Sequence, residues 1–259
     1  MNILDIDFNK LYIEQKSKSS FKPKTKKEWD SKASDMNSVV DGDSYIEKLM
    51  KIIDFSECKT LLDVGCGAGT VSINAKNLLE SITAFDYSEE MIKKLKQRCQ
   101  NGNISNITPL LHSWEQSWDS LPMCDIVVAS RSMQVANMKE ALLKLDSKAK
   151  KRVYLTTKVG GSFLPKEIMQ LLQKEIEPNP DYIYIINILY TLGINPSLEY
   201  IELKSDRISK KSKDRFIDSI KWSIGELNEI ELERLEEFYE NKIDSLNPNI
   251  KWAVISWNK

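Results

Sequence analysis

Residues 60–70, Thr-Leu-Leu-Asp-Val-Gly-Cys-Gly-Ala-Gly-Thr, decide the fold: an apolar strand runs straight into three alternate glycines. At the end of a parallel strand the chain must turn sharply and let something pack against bare backbone. Gly65, Gly67 and Gly69 permit this, because a residue without Cβ adopts positive φ readily and leaves room for a ligand. A helix that follows such a turn presents unpaired N–H groups at its N-terminus. Residues 71–79 supply it, with Val71, Ala75, Leu78 and Leu79 at helical spacing.

A glycine triplet alone is also the mark of a tight surface turn. Residues 82–86, Ile-Thr-Ala-Phe-Asp, shift the balance toward a nucleotide-type cofactor site. They form a second β-like run ending in an acid about 20 residues past the loop, where a doubly wound sheet holds a ribose hydroxyl pair. The glycine spacing then separates two cofactor classes. A dinucleotide fingerprint places its third glycine at position 70, but here Thr70 stands there and the third glycine is Gly69. Asp63, two residues before the first glycine, repels a pyrophosphate and attracts an ammonium group. The cofactor suggested is therefore cationic at that end.

The stretch resembles the first motif of class I S-adenosylmethionine-dependent methyltransferases, and Phe85-Asp86-Tyr87-Ser88 with Met91 resembles the second. The similarity spans roughly residues 29–160, and the family's sheet order extends it to the C-terminus. It implies S-adenosylmethionine as cofactor, with Asp63 near the methionine ammonium and Gly65, Cys66, Gly67 and Gly69 lining the site. Asp86 would bind the ribose, Tyr87 would flank the adenine and Met91 would pack below the ring. The family commonly has an acid after the third strand that accepts from the adenine amino group. The matching stretch here is His112-Ser113-Trp114-Glu115, so Ser113 and the backbone N–H of Trp114 take that place. Ser130, just past the fourth strand, falls where the family faces cofactor and substrate together.

Composition fits this reading. The 259 residues are 41% hydrophobic and 29% charged, enough for one soluble globule with a sizeable core. The formal net charge of −1 argues against a protein that lives on nucleic-acid phosphates, since such proteins carry a basic surplus that releases counterions. Lys16, Lys18, Lys22, Lys24, Lys26 and Lys27 cluster near the N-terminus, interleaved with Ser and Pro, and read as a solvated, mobile segment. Four cysteines lie far apart without a C-x-x-C pair, beside a single His112, so no metal site is expected. The chain shows neither an apolar leader nor a membrane-length apolar run, and a cytoplasmic protein without a membrane partner is the expectation.

Alternating strands and helices from 60 to 157 call for a Rossmann-like α/β fold: a doubly wound, seven-stranded, mostly parallel sheet with N-terminal helices. Strands are expected at 107–111, 125–130 and 152–157, then at 198–203 and 252–257. Ser88 should cap a helix to residue 100 that buries Met91, Ile92, Leu95 and Cys99, and Asn137 should open the next. Residues 1–24 read as a flexible segment, and 25–259 as the methyltransferase domain. Its N-terminal helical pair breaks at Asp41-Gly42-Asp43 and lies across the cofactor mouth. Residues 165–193 form a helical insertion or lid after the fifth strand. Further helices lie near 211–223 and 226–241, the second with Leu227, Ile230, Leu235 and Phe238 as its apolar stripe.

Methyl transfer asks mainly for a nucleophile placed in line with the sulfonium methyl, so no catalytic residue announces itself. His112 and Arg131 are the candidates: a lone imidazole at a strand end, and a fixed cation able to clamp a carboxylate or phosphate. Trp29, Tyr45, Tyr182, Tyr184, Asn187 and Tyr190 are either packing or a recognition box for the acceptor. The expected reaction is methylation of a small-molecule acceptor, with Arg131 favouring an anionic one. RNA or protein methylation stays open, although Ser130-Arg131-Ser132-Met133 lacks the Asn/Asp-Pro-Pro-aromatic motif of amino-methylating nucleic-acid enzymes. So does a non-catalytic cofactor-binding module that regulates a partner.

Overall fold

The computed structural model describes residues 2–32, 44–204, 212–246 and 249–259. The strand that enters the glycine loop is β1 (Thr60–Val64), followed by β2 (Ser81–Asp86), β3 (Ile107–Leu111), β4 (Cys124–Ser130) and β5 (Ala149–Lys158). With β6 (Ser197–Lys204) and β7 (Asn249–Asn258) they form a sheet in the order β3-β2-β1-β4-β5-β7-β6. β1 to β5 run parallel, and β7 is antiparallel to both β5 and β6. β1 and β4 are near-continuous apolar runs because both faces of a parallel sheet are covered. Leu61, Leu62, Val64, Ile126, Val127, Val128 and Ala129 accordingly have no exposed surface. The strand order reverses between β1 and β4, and the crevice at such a switch point is where ligands enter.

Helices cover the sheet in two layers. On one face α1 (Phe8–Lys18), α6 (Met138–Lys148) and α8 (Tyr182–Thr191) pack Tyr12, Leu142, Leu145 and Ile188 over Leu62, Val127 and Leu155. On the other, α3 (Ser44–Ile52), α4 (Thr70–Ala75) and α5 (Glu89–Asn101) pack Leu49, Val71 and Leu95 over Leu61, Ile82 and Val128. The Ser88 hydroxyl accepts from Met91 N–H, and Glu89 and Glu90 sit in the first turn of α5 where they oppose the helix dipole. Asn137 caps α6 in the same manner.

A third cluster stands apart from the sheet. α7 (Lys166–Leu172), α9 (Lys213–Ile224) and α10 (Glu229–Lys242) bury Ile168, Leu172, Phe216, Ile220 and Leu235 around Phe21. α2 (Lys26–Lys32) joins this cap to the glycine loop: Trp29 meets Trp222 of α9 edge-to-face at 5.6 Å and also packs with Ala68 and Met91.

Four local expectations differ from the structure. Residues 8–18, read as part of a flexible segment, form α1, because Tyr12 is an aromatic anchor: it is 3% exposed and its hydroxyl donates to Val135 O at 2.8 Å. Helix α4 stops at Ala75 rather than residue 79, leaving Leu78 52% exposed. Ile230 leaves the stripe of α10, 61% exposed, and partly buried Leu232 joins the cluster instead. The 165–193 segment serves two layers: α7 belongs to the cap and α8 to the sheet face, since the mostly apolar α8 is wide enough to cover β5 and meet α1 and α6. The break at Asp41-Gly42-Asp43 lies outside the described residues. Among the described residues no helix is long and apolar enough to cross a membrane.

If α1 is part of the folded unit, Tyr12→Phe should cost about 1–3 kcal/mol, the penalty of stranding the buried Val135 carbonyl. Urea unfolding measures it, and a midpoint indistinguishable from wild type would mean α1 is detached.

Candidate functional site

The glycine loop turns on three left-handed residues, Gly65 at φ +66°, Gly67 at +54° and Gly69 at +90°. Each has different surroundings. A Cβ on Gly65 would lie 2.4 Å from the Ser132 Cβ, and one on Gly69 2.5 Å from the Leu95 side chain. A Cβ on Gly67 would meet nothing within 4 Å. Gly65 and Gly69 are thus glycine because protein packs on them, and Gly67 faces open space where a flat ligand can rest on backbone.

The loop's own hydrogen bonds limit what that ligand can be. Cys66 N–H donates to Phe85 O, Gly67 N–H to Asp86 Oδ2 and Gly69 N–H to Cys66 O, each at 2.9 Å. A phosphate cradle needs such amides free. Here three of them are consumed and a carboxylate stands beside the loop, which makes it a poor anion nest.

The electrostatics agree. Asp63, at the buried end of β1, is 1% exposed and accepts at Oδ2 from Ser72 Oγ (2.5 Å) and Ser72 N–H (3.1 Å). Burial raises its pKa to about 6 against those hydrogen bonds, with the nearby Asp86 charge adding to the rise. Asp86 is also raised, first by burial, although N–H groups of Gly67 and Ser88 donate to its two oxygens. Asp30 completes the acidic group by accepting from Ser88 Oγ at 2.5 Å. Three carboxylates around one loop select for a ligand carrying positive charge.

β-pairing gathers most of the residues singled out from sequence. Asp63 sits opposite Ala84 and Val64 opposite Phe85, which brings Asp86, Tyr87 and the 65–69 loop together. Tyr87 is partly buried and its hydroxyl donates to Lys24 O at 2.9 Å, under the N-terminal segment. Cys66 is buried, its thiol pKa pushed well up by burial, and Met91 is closed off behind Ala68 and Trp29. His112 is tied to the site by its N–H to Asp86 O, and its ring stands edge-to-face with Phe85 at 5.3 Å. His112 Nε2 and Trp114 Nε1 are both buried without a hydrogen-bond partner. The Ser113 N–H donates to Gln116 Oε1, and its carbonyl accepts from Trp118 Nε1.

Past β4, Ser130 Oγ and Thr156 Oγ1 both meet the Tyr45 hydroxyl, at 2.9 and 2.7 Å. Tyr45 is fully buried there, so it supports the strand ends instead of presenting a face to an acceptor. Arg131 takes φ +57°, its N–H donates to Thr156 Oγ1 and its guanidinium lies 4.3 Å from the Tyr45 ring centre. Tyr184 packs on Tyr12, Tyr182 bonds Tyr200 and Asn187 bonds Ile183 O within α8, so these three side chains are engaged with protein, whereas Tyr190 is 48% exposed. Sequence reasoning missed Asp30, Thr156 and Ser132, whose Oγ donates to Val64 O at 2.7 Å. No motif marks them; only the fold brings them to the loop. Among the described residues no group of His, Cys, Asp and Glu side chains is arranged to hold a metal ion.

Comparison with known proteins gives a consistent answer. Residues 55–191 match a family described as a methyltransferase domain. A Haemophilus influenzae protein, itself described as uncharacterized, is 34% identical over 264 residues, covering 100% of this chain and 98% of the relative. Among solved structures, precorrin-6y C5,15-methyltransferase of Geobacter metallireducens superposes with a TM-score of 0.53 at 12% identity, covering 86% of this chain and 92% of that one. Haemonchus contortus phosphoethanolamine N-methyltransferase 2, in complex with phosphomonomethylethanolamine and S-adenosylhomocysteine, gives 0.53 at 15% identity, over 84% of this chain and 53% of that one. At these identities the structural likeness is one of fold.

The contrast between glycines is testable. Gly67→Ala should cost about 1–2 kcal/mol, the left-handed strain alone, whereas Gly65→Ala adds a collision with Ser132 and should cost clearly more. Equal unfolding midpoints for the two variants would contradict this account of the loop.

Proposed function

Because the chain belongs to the class I S-adenosylmethionine-dependent methyltransferases and is an enzyme of that class, we propose that it methylates a small, anionic acceptor enclosed beneath its helical cap. The observation that carries the cofactor end of this reading is the loop with the Cys66, Gly67 and Gly69 amides spent and three carboxylates around it. Bound there, S-adenosylmethionine supplies an activated methyl group on a sulfonium. Asp63 would hold the methionine ammonium, and Gly65, Cys66, Gly67 and Gly69 would floor the site. The unused lone pairs of Asp86 would accept from the ribose hydroxyls. Tyr87 with Met91 would flank the adenine, Ser113 and Trp114 would border it, and Ser130 would sit between cofactor and acceptor.

Support for a small acceptor comes from the cap. The chain of contacts from Ala68 through Trp29 to Trp222 sets α9 close to the glycine loop, so the cap stands over the cofactor end of the sheet, an arrangement that suits a small molecule better than a polymer surface. Net charge of −1 argues the same way. Arg131 favours an anion, because its stacking on Tyr45 fixes a cation at the end of β4. The chain's own contribution to the rate would be positioning and exclusion of water, with His112 the available imidazole should a proton need to leave the acceptor.

Calorimetric titration should show S-adenosylmethionine binding and no NAD binding, with affinity falling at least tenfold in Asp86→Ala; NAD preference would sink the cofactor reading. The pH dependence has a definite sign. A cationic ammonium favours ionised Asp63, so affinity should weaken as pH falls through about 6, and Asp63→Asn should flatten that profile. The free protein behaves oppositely. Unfolded Asp63 loses its proton near the ordinary aspartate value of 3.8, so this carboxyl's contribution to stability is full below that and is lost as pH rises through about 6.

A further inference from the structure

The carboxyl end of β5 carries a group of cations and amides that the cofactor site does not use. Lys16 of α1 donates to Gln134 Oε1 at 2.5 Å and to Asn179 Oδ1 at 2.8 Å. Ser19 Oγ donates to the same Asn179 oxygen at 3.1 Å. Since a lysine can only donate, the orientation of the Asn179 amide is fixed, and its Nδ2 points away as a donor. Asn179 is 5% exposed, yet that Nδ2 has no partner. A stranded buried donor costs about 1–3 kcal/mol and calls for an acceptor.

Asn179 lines a narrow recess together with Gln134, Thr157, Lys158, Gly161 and Phe163. Its volume of about 10 Å³ is close to that of one water-sized group. Gly161 (φ +65°) lets the 178–179 backbone approach so closely that a Cβ there would fall 2.2 Å from Asn179 O, and Asn179 N–H donates to Gly161 O at 2.8 Å. The recess is therefore built by tight backbone contacts. Lys158, the last residue of β5, extends along it with its ammonium 5.3 Å from the Phe163 ring centre. Among the described residues neither Lys16 nor Lys158 has an ion-pair partner. The nearby carboxylate, Asp181, is occupied by the N–H groups of Gly160 and Tyr182. Burial lowers the pKa of both lysines to about 8, with the Lys22 charge contributing to the shift at Lys16, the mark of ammonium groups short of negative charge.

We propose that this recess is an oxyanion seat, in which Asn179 Nδ2 and Lys158 hold one oxygen of a carboxylate or phosphate group while Lys16 supplies charge from behind. Assigning that anion to the methyl acceptor rests on the function proposed above; the binding itself does not. An acceptor anchored here would lie across the ends of β5 and β4, past Gln134 and toward Ser130.

The test uses the full chain labelled with ¹⁵N and titrated separately with inorganic phosphate and with succinate. The Asn179 side-chain amide signal, assigned by its loss in Asn179→Asp, should shift saturably with at least one of the two, and the responding one identifies the class. Lys158→Gln should weaken that response roughly ten- to a hundredfold, the loss of one charge-assisted hydrogen bond, and Lys158→Arg should restore part of it. No saturable shift in wild type, meaning that a water fills the recess, overturns the proposal; so does a response unchanged in Lys158→Gln. If Lys158→Gln does not fold by circular dichroism, the wild-type titration alone decides. S-adenosylhomocysteine titration of the same samples separates the two readings. Anion binding without nucleoside binding removes the cofactor reading and leaves the seat, and the reverse removes the seat alone.

Discussion

Everything in the site depends on one short link: the Asp86 carboxylate accepting from Gly67 N–H at 2.9 Å, beside the Cys66 N–H to Phe85 O bond of equal length. These two bonds continue the β1–β2 pairing past the end of the strands, where a loop would otherwise be free. They hold Gly65, Gly67 and Gly69 in the left-handed region and spend the amides that a phosphate would need. They also keep a carboxylate buried, which costs desolvation that N–H donors from Gly67 and Ser88 offset only in part. A ligand with hydroxyls and positive charge relieves that cost, and an anionic one increases it.

The second constraint is the way the N-terminal segment straps the molecule together. α1 fills the sheet face with Tyr12, Phe21 fills the cap, and Trp29 lies against the glycine loop, so residues 12 to 29 touch three separate clusters in turn. Between these anchors the backbone carries Lys16 to Asn179 and Lys24 to the Tyr87 hydroxyl. A cluster of lysines that reads as solvated from composition is thus partly folded over both ends of the cleft. Their charge is exposed or buried according to the anchor each stands beside, and composition does not carry that information.

How far the sequence could be read follows from the range of the forces involved. The strands of the sheet, the caps at Ser88 and Asn137 and the acidic loop all rest on local patterns: apolar runs, glycine spacing, a hydroxyl or amide before a helix. They were legible for that reason. Tyr45, Ser132, Asp30, Lys16 and Asn179 act across more than fifty residues of chain, and nothing beside them in sequence says so. The tyrosines of α8 stayed ambiguous in the sequence because an aromatic at helical spacing looks the same whether it faces a ligand or Tyr12 and Tyr200. The lid was expected in 165–193, but most of the cap comes from 212–246, where α9 and α10 have ordinary amphipathic patterns that give no hint of their partner.

The two ends of the cleft carry opposite charge, and this has a consequence for how two ligands share it. Asp30, Asp63 and Asp86 surround the β1–β2 end, while at the β5 end Lys158 and Lys16 have no ion-pair partner among the described residues. An anionic acceptor would be repelled from the cofactor floor and attracted to the far end, and a cationic cofactor would be sorted in the reverse direction. Such sorting discriminates mainly by making the wrong placement costly. It also fixes the direction along which the two molecules face each other. In a reaction that depends on in-line approach more than on any acid or base, fields that orient both partners before contact supply part of what a catalytic side chain supplies elsewhere. Chemistry of that kind leaves little for a sequence motif to mark, because charges set at the ends of strands come together only through the fold.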